Sequence, residues 1–223
     1  MNFPIAFTKE TLGIIAVTMR MAFTSTAISS CLGILLGLLL EKSDFKGKRI
    51  VVRICRTLMG SPPVVIGLVS YLLLMRRGPL GFLDMIFSVR GMVFAQVLLI
   101  TPIVCGMVYS YASRCAPQIR AFAKTMGASG FQTRVLLIKE MSSEMYFAVI
   151  AGFGRAISEV GAVMIVGGNI QHRTRTMTTA ISLMRSRGDY SEAITLGVTL
   201  LFLAFILQSL CDLLHKEKGE ENL

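Results

Sequence analysis

The sequence predicts an all-α, polytopic membrane protein, a single domain over residues 1–223 with about five transmembrane helices. Three observations predict it. Mean hydropathy is +0.66 and hydrophobic residues make up 53% of the chain, more than a soluble domain of 223 residues would carry. The apolar residues are gathered into runs close to the roughly 20 residues that carry a helix across a bilayer. The charged residues, only 16% of the chain, are gathered between those runs. A net charge of +10 would suggest nucleic acid in a soluble protein. Placed between spans it reads as topology, so the expected surroundings are a lipid bilayer and no nucleic acid.

Residues 1–10 form a short polar lead without the basic start, short apolar core and small-residue cleavage site of a secretory signal, so the first apolar run counts as a span. It covers about 14–40, with Arg20 snorkelling to an interface and Gly33 and Gly37 forming a GxxxG packing face. Residues 41–57 read as a charged loop carrying Lys42, Lys46, Lys48, Arg49, Arg53 and Arg56. Met59-Gly60-Ser61-Pro62-Pro63 opens a second apolar run that ends at Met75, and Arg76–Gly81 is a turn by Gly and Pro content. The third span covers about 91–113, with Pro102 as a kink.

A polar, net-positive segment over about 114–140 follows. Pro117 suits a first helical position and Gly127 the residue just past a helix end, which predicts a short helix of about ten residues. Gly127-Ala128-Ser129-Gly130 and a second amphipathic stretch come next, and a helix this short is expected to sit in another protein's pocket. A fourth span covers about 144–168, a basic loop 169–189, and a fifth span 190–214, before a solvated tail. Five spans put the termini on opposite sides. The loops 41–57 and 113–140 with the tail carry more Lys and Arg than the other side, which predicts an outer N-terminus and a cytoplasmic C-terminus.

The chemistry sits in few places. Arg155 and Glu159 lie four apart in the fourth span, and two charges at that depth must face the bundle interior or a wet cavity. They could be a helix–helix ion pair, or with Ser158 they could line a path for a hydrophilic solute. Pro62 and Pro63 beside Ser61 remove two amide donors; they could mark a helix N-terminus or a polar cavity. His172, Arg173, Arg175, Arg185 and Arg187 could attract anions or dock an acidic partner. The five cysteines show no CxxC spacing and stand far from His172 and His215, so no metal site or cofactor is expected. The sole Gly-Lys, Gly47-Lys48, is followed by Arg49, so the chain has no P-loop and is not expected to be an enzyme.

Ala121-Phe122-Ala123-Lys124-Thr125-Met126-Gly127-Ala128-Ser129 resembles the "EAA" loop of permease subunits of binding-protein-dependent ABC importers. Ala123, Gly127 and the apolar run Val135–Ile138 match the pattern. Ala121 replaces its acid, Phe122 its first alanine, and Lys139-Glu140 its Leu-Pro. Arg155-Ala-Ile-Ser-Glu159-Val-Gly-Ala162 is similar to the corresponding segment of molybdate, sulfate and tungstate permeases. Gly167-Gly168-Asn169-Ile170, Thr174–Ile181 and the Lys-Glu pair look most like the tungstate branch.

The resemblance implies a type I importer permease fold with a cytoplasmic coupling helix. It implies a multi-pass protein of the inner membrane, working as a homodimer with two copies of an ABC ATPase subunit and an extracytoplasmic solute-binding protein. Transport of an oxyanion, tungstate first and molybdate or sulfate as alternatives, would follow by ATP-driven alternating access. Arg120, Ala121, Ala123, Lys124, Thr125, Gly127 and Ala128 would engage the ATPase. Ser61, Pro62, Pro63, Arg155, Ser158 and Glu159 would lie on the translocation path, and Arg173, Arg175, Arg185 and Arg187 would dock the binding protein. Importers of methionine or phosphate fit the fourth-span motif less well.

Overall fold

The structure, a computed structural model, describes residues 9–220, with side chains over 10–213. Among these residues it is all helix, in the order α1 (Lys9–Lys42), α2 (Lys48–Met59), α3 (Pro63–Leu74), α4 (Val89–Thr125), α5 (Gly130–Glu140), α6 (Ser142–Ser158), α7 (Gly161–Gly167), α8 (Met177–Arg187) and α9 (Tyr190–Glu220). A single 3₁₀ turn, Gly81–Leu83, separates α3 from α4. Helices α1, α4 and α9 are each long and apolar enough to cross a membrane. Counting the bent pairs α2–α3 and α6–α7 as one span each brings the number to five. The predicted polar lead, residues 1–10, lies almost wholly outside the described residues, as does the end of the tail.

The bundle is built around α4, against which α1, α2, α3, α6 and α7 all pack. Close approach of α1 rests on the predicted glycine face. A Cβ on Gly33 would fall 2.7 Å from Val104 Cβ, and one on Gly37 2.9 Å from the Cys105 carbonyl oxygen. Small residues let helices meet at backbone distance where lipid offers no hydrophobic drive. The largest core cluster follows the same logic, with Ala22, Ala112, Ala116, Ala148 and Ala156 set among Ile100, Val104, Val108 and Phe153.

Four readings change. Residues 48–59 are not loop but helix, because the basic positions recur at Arg49, Arg53 and Arg56 and leave Val52, Cys55 and Met59 on one face toward α4. Pro117 is not a first helical position; it lies inside the 37-residue α4, roughly 55 Å long. Burial explains this, since Ala112, Ala116 and Ala123 form one covered stripe. Leu137 of α5 and Met141 join the cluster that holds the first two. The segment therefore has a core of its own, in contrast to the expected short helix lodged wholly in a partner.

The fourth span is broken at Glu159, with α6 and α7 inclined at 58°. Finally, 169–189 is not an open loop. It contains α8, whose start is buried from Met177 to Ala180 and capped by Thr176 paired reciprocally with Thr179.

Candidate translocation site and coupling surface

The second span breaks between Met59 and Pro63, and the direction changes there by 107°. Pro62 has extended backbone as the cap of α3, and Pro63 takes the first helical position, where a missing amide donor costs nothing. The helix-start reading of the Pro-Pro pair thus holds for α3 itself. The break in the fourth span lies beside it. A Cβ on Gly161 would meet Val64 Cγ2 at 2.9 Å, and one on Gly67 would meet Ala162 Cα at 2.6 Å. Two interrupted spans therefore touch at or next to their interruptions, bringing Ser61-Pro62-Pro63 and Arg155–Glu159 into one region.

A helix break at membrane depth frees carbonyls and amides that no water satisfies. The side chains of Gln96, Thr178 and Glu159 satisfy them here. Gln96 Nε2 of α4 donates to the Ala156 carbonyl at 3.1 Å. Thr178 Oγ1 of α8 donates to the Glu159 carbonyl at 2.8 Å. The Ala162 amide, at the start of α7, donates to Glu159 Oε1 at 2.9 Å. Thr18 Oγ1 of α1 accepts from the Met177 amide at 2.9 Å, which extends the polar seam to the first helix.

Glu159 is buried, yet it is charge-paired: Arg155 Nη2 lies 3.2 Å from Glu159 Oε2. The pair expected from the i, i+4 spacing forms, although the helix that would have carried it ends between the partners. Arg155 differs from Glu159 in access, its side chain being 31% exposed against 1%. Ser158 and Pro62 are also exposed. The face that leaves the protein interior here thus offers one guanidinium edge, a hydroxyl and a proline-headed helix. An anion could meet that edge while Glu159 holds the other end of the charge.

At the far end of α4, Gly127 takes φ +68, the left-handed conformation that ends helices with little penalty for glycine. The Ala128 amide donates back to the Ala123 carbonyl at 2.9 Å, and Ser129 with Gln132 forms a capping box that starts α5. Ala121, Lys124, Thr125 and Gly127 are exposed, and Ala128 is half-buried.

Two expected contacts are already used within the chain. Ala123 is buried against this chain's own residues, because it continues the covered stripe of α4, and so cannot supply a close fit to a partner. Arg120 Nη2 pairs with Glu41 Oε2 at 2.6 Å, tying the end of α1 to α4. The tip also exposes three apolar side chains outside the set that the resemblance assigns to the ATPase, Phe122, Met126 and Phe131, with exposures of 60–72%. Their signal was present as large apolar residues in an otherwise polar turn.

At the other end of the bundle Arg173, Arg185 and Arg187 are exposed. Arg175 is not; it is buried and paired with Glu10 at 3.4 Å, so it leaves the set of docking residues. The hydrogen bond from Thr174 Oγ1 to the Gly167 carbonyl at 2.6 Å turns this stretch inward.

Two spans broken side by side in an all-helical bundle, with a capped helical turn projecting from the long central helix, are the architecture of a solute-translocating membrane subunit. The chain belongs to the family described as binding-protein-dependent transport system inner membrane component, which matches residues 32–218. Among its relatives is the tungstate uptake system permease protein TupB of Peptoclostridium acidaminophilum, 39% identical over 97% of this chain and 95% of that one. TupB of Campylobacter jejuni is 34% identical over 74% of this chain and 69% of its own. The sulfate transport system permease protein CysW of Escherichia coli is 27% identical over 89% of this chain and 70% of its own.

Proposed function

We propose that this chain is the permease subunit of an ABC importer for tungstate. The observation that carries the substrate is the difference in likeness: 39% and 34% identity to two tungstate uptake permeases against 27% to a sulfate permease. The working unit is a homodimer with two cytoplasmic ATPase subunits and an external solute-binding protein, and the N-terminus lies outside. The α4–α5 turn engages the ATPase through Phe122, Met126 and Phe131, supported by the exposed Ala121, Lys124 and Thr125. Arg173, Arg185 and Arg187 face the binding protein.

Closure of the ATPase pair moves the turn, and the long α4 carries that motion to the breaks, since α3, α6 and α7 all pack on it. Interrupted helices are the natural hinges of such a change. Arg155, Ser158 and Pro62 line the path, while Glu159 keeps Arg155 neutralised when no anion is present. Coupling requires different contacts in the two states, and the exposed tip supplies a surface on which the ATPase can make them.

The test is uptake of tungstate by cells with and without this gene, competed by molybdate, sulfate and phosphate. Loss of uptake on deletion, with wild-type uptake insensitive to excess sulfate and phosphate, is the expected result. Uptake unchanged by deletion removes tungstate as the substrate. Competition by sulfate as strong as by tungstate itself moves the chain to a broader oxyanion importer.

A further inference from the structure

Helix α2 plays no part in the path or the coupling turn, yet ten of its twelve residues are sorted into three stripes. Val52, Cys55 and Met59 face α4; Cys55 Sγ donates to the Pro102 carbonyl at 3.5 Å, and Met59 lies against Gly106. Ile50, Val51, Ile54 and Leu58 form an exposed apolar stripe. Arg49, Arg53 and Arg56 form an exposed basic stripe, preceded by the exposed Lys42 and Lys46. At 100° per residue the apolar and basic stripes lie about 150° apart. Among the described residues the ion pairs engage Lys48, Arg120, Arg155 and Arg175, so no carboxylate neutralises the three α2 arginines.

Helix α2 bends 107° away from α3 and packs on α4. It meets α4 at Pro102–Gly106, and Tyr109, Tyr111 and Arg114 follow within about 12 Å along that helix. Aromatic and then basic side chains mark a membrane–water boundary.

We propose that α2 is a binding site for anionic phospholipid, with Arg49, Arg53 and Arg56 on the headgroup phosphates and Ile50, Val51, Ile54 and Leu58 among the acyl chains. Charge complementarity selects this occupant: a neutral lipid or an apolar partner helix leaves three unpaired guanidinium groups unanswered. Bound lipid would hold α2 and therefore the Gly60–Pro62 bend next to the translocation site. The proposal does not depend on the identity of the transported anion.

The experiment titrates the purified full-length chain in neutral detergent with phosphatidylglycerol and, separately, phosphatidylcholine, with lipid retention read by native mass spectrometry. Wild type is expected to prefer phosphatidylglycerol, and R53Q/R56Q to lose on the order of five-fold in that preference per arginine removed. R76Q/R77Q, with the same charge loss elsewhere, keeps it. Thermal stability in phosphatidylcholine, unchanged in R53Q/R56Q, shows that the variant is folded. Equal lipid preference in wild type and R53Q/R56Q overturns the proposal, as does an equal loss in R76Q/R77Q. Efficient disulfide linkage of two copies through Ile54→Cys also overturns it, by making the stripe a subunit contact.

Discussion

Glu159 uses its two carboxylate oxygens for different purposes: one caps α7 through the Ala162 amide, the other pairs with Arg155. The two roles can be separated. Glu159→Gln keeps an acceptor for the amide, whereas Glu159→Ala leaves that buried donor without one, at a cost of about 1–3 kcal/mol. The alanine variant is therefore expected to unfold at lower temperature than the glutamine variant in a detergent thermal-shift assay; equal values would remove the capping role. Gly127 presents a different kind of constraint. A Cβ there would meet nothing within 4 Å, so the cost of Gly127→Ala is the left-handed backbone alone, about 1 kcal/mol. Gly127→Asn should lie closer to wild type, because asparagine tolerates that region; the same melting experiment compares them.

Between α1 and α4 the spacing is set by atoms that cannot move aside. Gly37 sits against the backbone oxygen of Cys105 and the Val108 side chain, so Gly37→Leu must push two helices apart. Overpacking of that kind costs roughly 1–3 kcal/mol, and purified Gly37→Leu should melt well below wild type. Gly197→Ala on α9, where a Cβ meets nothing within 4 Å, should stay within about 1 kcal/mol of wild type. The coupling turn is an element whose failure should be functional instead. Gly127→Leu or Gly127→Glu is expected to abolish uptake while the permease remains in the membrane at wild-type level. Normal uptake by either would detach the turn from the ATPase.

Across the molecule, apolar surface is left uncovered on α1, α2, α3 and α9, and the last two faces bear on assembly. Helix α9 exposes Val198, Leu201, Phe202 and Phe205, and α3 exposes Val64, Val65, Leu68 and Leu72 beside the helix breaks. Lipid satisfies the first as well as protein would. The second borders Pro62 and Arg155, so a homodimer that encloses the path should close over it. Leu68→Cys is expected to link two copies on oxidation in membranes and Leu201→Cys is not. The reverse pattern would place the subunit contact on α9.

Much of this was legible in the sequence because it depends on local properties. Hydropathy marked the spans, Gly33 and Gly37 marked the α1–α4 approach, Gly127 marked a helix end, and the four-residue spacing of Arg155 and Glu159 marked their pairing. Those signals act within one or two helical turns. Tertiary packing decided the rest. Pro117 stays helical because Ala112, Ala116 and Ala123 are covered by the chain's own residues. Residue 159 can end a helix inside a membrane because Gln96 and Thr178, distant in sequence, donate to the freed backbone carbonyls. Arg175 and Ala123 were withdrawn from the surface by neighbours that spacing does not reveal. Local composition sets which segments enter the membrane, since each span's transfer is its own affair; where those spans break, and which charges stay exposed, is a property of the partners folded around them.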